Sequence, residues 1–210
     1  MAGRRSRWSP IERDLRDAGA RLIAGVDEVG RGPLAGPVVA CAVIMPPDLR
    51  AIAGVADSKR LDAAERERLA LLIGRRALAV GIGAASVREV DRVNVYHATV
   101  LAMQRALRRL VMAPDRVLVD GKPIRTLGVE HLAVVGGDAH CYAIACASII
   151  AKVTRDRLMT ALARRHPAYA WERNAGYGTP EHLRALGATG LTPHHRRSFA
   201  PVGQLALDLL

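Results

Sequence analysis

A chain of 210 residues, half of them hydrophobic, is long enough to bury a substantial core, which excludes a disordered tail. Its formal charge of +11, from 31 Lys and Arg against 20 Asp and Glu, favours a polyanionic partner, with nucleic acid ahead of a membrane surface, although high arginine content also follows genome composition. No apolar leader and no membrane-length apolar run occur, so the expectation is a soluble, cytoplasmic protein of one main domain, monomeric by default.

Residues 1–18 read as a basic, frayed lead-in. The apolar stretches 22–26 and 37–45 predict two strands joined by a turn rich in Gly and Pro. That spacing is too short for a helical crossover, so the pair is expected to be antiparallel. Asp62, with Glu65 three residues later, marks the start of a helix through LDAAERERLALLIGRRALA. AVGIGAAS predicts a strand, and NVYHATVLAMQRALRRLVM a long helix with Val95, Ala98, Ala102, Met103, Ala106 and Leu110 near one face. RVLVD (116–120) and HLAVVGGD (131–138) predict short strands that each end in an aspartate, and a helix follows over about 142–165. From about residue 166 the chain is rich in Gly, Pro, His and Arg and reads as a smaller helical unit. Strands alternating with helices give an α/β layered fold with a mixed sheet. Cys41, Cys141 and Cys146 lie in apolar runs without paired spacing and read as reduced core cysteines.

The stretch GVDEVGRGPLAGP, residues 25–37, carries the chemistry. Its apolar strand ends in two adjacent acids, Asp27 and Glu28, and buried carboxylates are costly unless paired, hydrogen-bonded or bound to a cation. Asp120 and Asp138 share the pattern of an acid closing an apolar strand, and strand ends are where α/β sheets assemble sites. Carboxylates converging there raise one another's pKa unless a cation intervenes, and oxygen donors without Cys or paired His select Mg²⁺ or Mn²⁺. Such ions activate water and stabilise the leaving oxygen of a phosphodiester. The competing reading is that the acids are unrelated turn residues, strongest for Asp120 before Gly121. A dinucleotide loop is excluded: GRGPLAG has the wrong glycine spacing, Pro33 lacks an amide, and the acids would repel a pyrophosphate.

GVDEVGRGPLAGPVVACAVI, ADSKRL, NVYHATVLAMQRAL, VLVDG, GGD, ASIIAKVTRD, NAGYGTPEHL and HHRRSF, in this order over residues 22–202, resemble bacterial ribonuclease HII. The resemblance implies a ribonuclease-H-like fold with a small C-terminal helical extension. The expected divisions are a catalytic core over 19–165, the extension over 166–203 and an apolar tail over 204–210. It also implies an endonuclease that cuts RNA–DNA hybrids and duplex DNA containing single ribonucleotides, on the 5′ side of the ribonucleotide, leaving 3′-hydroxyl and 5′-phosphate ends. Carried over by position, Asp27, Glu28, Asp120 and Asp138 are the catalytic and metal-binding set, served by Mn²⁺ or Mg²⁺. Gly30, Arg31 and Gly32 would read the 2′-hydroxyl through backbone groups, and Tyr177 would pack on the next deoxyribose.

Lys59, Ser148 and Arg196 are further candidate substrate contacts, as are Arg60 and Arg197 by charge, against a bland surface reading of equal weight. Ser148, Lys152 and Arg155 share a helix face, where Lys152 and Arg155 either meet phosphates, pair with acids or are simply solvated. His194 and His195 lack zinc partners and point to a structural or phosphate role. Gly136, His140 and Ala175 depart from lysines common in the family, which bears on affinity and not on reaction type. The tail QLALDLL resembles a sliding-clamp peptide through Gln204, Leu205, Leu207 and Leu209; the alternative is a last helical turn folded onto the body. Two rival classes are disfavoured: another two-metal nuclease on this fold should lack Gly-Arg-Gly as a 2′-hydroxyl reader and the G-Y-G-T segment, and a non-catalytic hybrid-binding module need not keep all four acids.

Overall fold

A computed structural model describes residues 8–48 and 50–208. The elements, in chain order, are α1 (Ile11–Asp17), β1 (Ile23–Val29), β2 (Val38–Ile44), α2 (Ala63–Arg76), β3 (Ala79–Ala85), α3 (Val87–Arg108), β4 (Arg116–Asp120), β5 (Leu132–Val134), α4 (Gly137–His140), α5 (Tyr142–Arg165), α6 (Trp171–Asn174), α7 (Pro180–Thr189) and α8 (Val202–Asp208). The strands form one sheet in the order β3-β2-β1-β4-β5. β1 pairs antiparallel with β2 and parallel with β4, so the sheet is mixed, as the short β1–β2 connection requires.

Helices cover both faces of the sheet. Along β1, Ala24 and Val26 face a core shared with Ala98, Ala102, Met103 and Ala106 of α3. The opposite face meets α5, where a Cβ at Gly25 would overlap the backbone of Ala143 and Ile144. Gly81 and Gly83 of β3 admit α3 in the same way, beneath the carbonyls of Ala106 and Ala102. A core built from Ala, Val and Gly therefore brings helix backbone almost onto the sheet, which suits a chain with only 3% aromatic residues. Cys41, Cys141 and Cys146 are free and buried.

The elements follow their local chemistry. Asp62 caps α2 by accepting from Glu65 N at 2.8 Å. Ser86 and Glu89 form a reciprocal capping box that starts α3 seven residues before the expected position. Asn94 interrupts that helix at φ 65° and caps its second half through His97 N, so the helix expected from residue 94 is that second half. Residues 11–17, expected to be frayed, form a helix: the buried Glu12 carboxylate accepts from Ala143 N at 2.7 Å and ties the lead-in to the start of α5. The strand expected over 131–138 stops at Val134, and Asp138 stands on α4.

The C-terminal elements share an apolar cluster in which Trp171, Tyr169, Leu186 and Val202 pack with Leu34 and Ala35 of the turn after β1. Leu205 packs on this cluster from α8. The start of the tail is thus folded onto the body. Gln204 lies on the same helix, the side chain of Leu207 falls outside the description, and Leu209 lies outside the described residues. Among the described residues, no helix is long and apolar enough to cross a membrane.

Candidate active site

Period-two alternation sends Asp27 and Glu28 to opposite faces of β1. Asp27 points, like Gly25, toward α5, where Ser148 donates to its carboxylate. Glu28 lies on the α3 side and is reached by Arg31 Nη1 at 3.2 Å. β4 runs parallel to β1 with Val26 opposite Val119, which sets Asp120 at the strand end beside Asp27. Gly137 N donates to Asp120 Oδ1 at 2.7 Å, so α4 starts on that carboxylate. Asp138, the next residue, is 6% exposed and accepts from Lys59 Nζ at 3.2 Å. Its arrival depends on the glycine turn. Gly136 sits at φ 66°, and a Cβ on Gly137 would press on Ile144 Cδ1 at 2.5 Å.

The four acids are in electrostatic contact. Burial raises the Asp27 carboxyl well above the ordinary value, and the charges of Glu28 and Asp120 add to the rise. Burial also raises Glu28, with Asp120 adding to it and Arg31 opposing. Asp120 is raised by burial and then by the charge of Asp138. Lys59 shows the reciprocal effect: partial burial pulls its ammonium down, while the hydrogen bond and charge of Asp138, with Asp57 and Asp27, push it up further.

A cleft of about 350 Å³ opens over these groups. Asp27, Glu28 and Asp120 line it beside Gly30, Arg31, Gly32, Ser58, Lys59, Ser148, Lys152 and Tyr177. The candidates Ser148 and Lys59 thus lie at the cleft. Ser148 hydrogen-bonds Ser58 at 2.9 Å beneath it, and Lys152 pairs with Asp156 at 2.7 Å. Tyr177 is 47% exposed, and its ring stands 3.6 Å from where a Cβ of Gly32 would be.

The two glycines of the turn serve different ends. Gly30, at φ 92°, has the Arg155 side chain against it, with Cδ 2.7 Å from where its Cβ would lie. Gly32 has only Tyr177 nearby and is open to the cleft.

Two arginines depart from expectation. Arg196, a candidate phosphate contact, is fully buried: Nε and Nη2 donate to Gly36 O, Nη1 to Arg31 O and Nη2 to Gly30 O. A guanidinium without exposed surface does not meet a phosphate from solvent. Arg155 is neither solvated nor near the acids: it donates to the carbonyls of Pro37, Ala175 and Ala35. Charge alone marked both for the surface; the apolar helix register of Ser148, Ala151, Arg155 and Met159, all buried, is the signal that places Arg155 inside. His195 is likewise structural. It is 2% exposed, accepts from Thr192 N at 2.9 Å and lies 3.0 Å from Nε2 of His182. Arg60 and Arg197 are exposed, with Arg197 N bonded to Asp91.

Partly desolvated carboxylate oxygens alone fit a hard divalent cation, because bound positive charge would offset the burial and the repulsion that together raise Asp27 and Asp120. Among the described residues no three His, Cys, Asp or Glu side chains are grouped so as to hold a metal ion by themselves. An open carboxylate set suits an ion that keeps several waters.

Residues 24–202 match the family model described as Ribonuclease HII. The ribonuclease HII of Thermosynechococcus vestitus is 59% identical over 183 residues, which is 86% of this chain and 85% of that protein. The fold is similar to the crystal structure of ribonuclease H2 from Pyrococcus horikoshii OT3, with a TM-score of 0.76 at 25% identity over 89% of this chain and 98% of that one. It is also similar to Bst-RNase HIII in complex with Mn²⁺, with a TM-score of 0.68 at 22% identity over 92% of this chain and 71% of that one.

Proposed function

This chain belongs to the ribonuclease HII family and is a ribonuclease H acting on RNA–DNA hybrids, and on that premise we propose that it also cuts duplex DNA at single embedded ribonucleotides. Cleavage falls on the 5′ side of the ribonucleotide and leaves 3′-hydroxyl and 5′-phosphate ends. The observation that carries the reading is the adjacency of two unlike groups within six residues. Asp27 and Glu28 end a buried strand beside Asp120, and the open Gly32 faces Tyr177 across the same cleft.

In this reading Asp27, Glu28, Asp120 and Asp138 hold Mn²⁺ or Mg²⁺. The ion, when bound, supplies Lewis acidity toward the scissile phosphate and lowers the pKa of water. The residues of the chain do the rest. Ser148 and the amide of Glu28 orient the Asp27 carboxylate, and Gly137 N orients Asp120. Lys59 holds Asp138 and adds positive charge where the phosphate backbone enters. Arg31 restrains Glu28 from the other face. At Gly32 the missing Cβ lets backbone approach the sugar that carries the 2′-hydroxyl, the group that separates RNA from DNA. The Tyr177 ring beside it stacks on the following deoxyribose, which needs no hydrogen-bond partner there. The catalytic core over 19–165 thus supplies the acids, and the extension over 166–203 supplies the tyrosine.

A clamp contact through Gln204, Leu205, Leu207 and Leu209 is a separate proposal, and it requires Leu205 to leave the cluster on which it packs.

Product mapping tests the reading. With Mn²⁺ or Mg²⁺, a duplex holding one ribonucleotide should give a single cut on its 5′ side and a 3′ end that a polymerase extends. An all-DNA duplex should stay intact, and chelation should stop the reaction. A cut on the 3′ side, or equal cutting of the all-DNA control, would overturn it.

A further inference from the structure

Arg155 and Arg196 have no exposed surface, and neither has a carboxylate within ion-pair distance among the described residues. Two buried guanidiniums lying close enough to repel each other are costly. What offsets the cost is a set of carbonyls, and nearly all belong to one turn. Arg196 takes those of Gly30, Arg31 and Gly36; Arg155 takes those of Ala35 and Pro37. The planar fork of arginine suits this task, since it offers five donors in fixed directions.

The remaining donor of Arg155, Nη1, crosses to Ala175 O at 2.8 Å, two residues before Tyr177. Backbone bonds run alongside, from Leu34 N and Ala35 N to Gly176 O and from Gly36 N to His194 O. One guanidinium thus ties the turn after β1 to the segment that carries the tyrosine. Two glycines leave it room: a Cβ on Gly30 would overlap its Nε, and one on Gly36 would press on Met159 Sδ and come within 3.3 Å of its Nη2.

We propose that Arg155 and Arg196 are positioning residues that fix the gap between the Gly30–Gly32 turn and Tyr177, and thereby set the preference for a ribonucleotide followed by a deoxyribonucleotide over uninterrupted hybrid. The proposal rests on the reading of the turn and Tyr177 given above. The arginines touch no substrate; they act through the carbonyls they hold. A turn that has the carbonyls of Gly30, Arg31, Ala35, Gly36 and Pro37 drawn inward cannot rotate those peptide planes without stranding a buried donor, and an unpaired buried donor is penalised. The sugar gap is therefore held by bonds on its far side, away from the substrate.

The test uses Arg196→Lys and Arg155→Lys, which keep the charge but lose the fork. For each, kcat and KM are measured on a single-ribonucleotide duplex and on an uninterrupted hybrid, with folding followed by circular dichroism. The ratio of the two kcat/KM values should fall by about tenfold or more, since displacement of a positioning group by about 1 Å is enough to cost that much. An unchanged ratio, with both substrates lost equally or not at all, overturns the proposal because a purely structural role lowers both together. Failure of both variants to fold would assign the arginines to stability alone and also overturn it. The wild-type arm separates the underlying reading: if the unaltered protein does not cut the single-ribonucleotide duplex, that reading fails whatever the variants do.

Discussion

At Asp27 the requirements of folding and of chemistry oppose each other. Its carboxyl is buried beside two other negative groups, so its ionised form costs the fold free energy that a neutral side chain would not. Asp27→Asn should raise stability by about 1–2 kcal/mol in chelator at neutral pH, because the amide keeps the Ser148 contact and removes the repulsion. Thermal or urea denaturation measures this; a destabilised variant would mean that the acids do not repel as described. The conflict was legible in the sequence, since an apolar run that closes on Asp27 and Glu28 has few bland explanations. The arginines were not. Arg155 and Arg196 look like surface charge because their partners are backbone carbonyls; helix register marks Arg155 as buried, but no such pattern marks Arg196.

Among the elements, the pairing of α5 with β1 positions the site. The helix lies so close to the strand that Gly25 has no room for a side chain, and the same register sets Ser148 on Asp27. Gly25→Ala should cost at least about 3 kcal/mol, because the added carbon meets backbone that cannot move aside. Gly74→Ala is the matched control: it sits within α2 with nothing within 4 Å, and should gain about 0.5–1 kcal/mol. Equal effects in chemical denaturation would remove the close-approach argument. Periodicity located β2, β4 and α5 nearly to the residue, because their apolar patterns are unbroken. It misplaced Asp138, where three residues of strand give way to a turn through Gly136 and Gly137 that looks like strand continuation. It also missed α1, which the distant Glu12–Ala143 bond and the packing of Ile11 and Leu15 hold to the body.

Across the whole molecule, a buried histidine pair fastens the C-terminal elements. Thr192 N donates to His195 Nδ1, so the neutral ring carries its proton on Nε2 and directs it at His182 Nε2. Burial first, and then the neighbouring His182, push His195 from 6.5 down to about 4. The unfolded chain therefore takes up this proton before the folded one, and the contribution to stability is present above pH 6.5 and is lost as pH falls toward 4. The loss should be roughly 2–3 kcal/mol. Asp27 and Asp120 act with the opposite sign, since protonation relieves their repulsion, so the comparison is with His195→Gln. That variant should be less stable at pH 7.5 and show a flatter decline between pH 6.5 and 4; parallel curves would contradict the assignment. The central claim is that the row of acids cuts while the turn beside it reads the sugar. Single-turnover cleavage of a single-ribonucleotide duplex by Asp120→Asn, with binding of the same duplex measured alongside, tests it most directly. The account predicts binding within about threefold of the unaltered protein and cleavage slower by about a thousandfold or more; cleavage at the unaltered rate would contradict it.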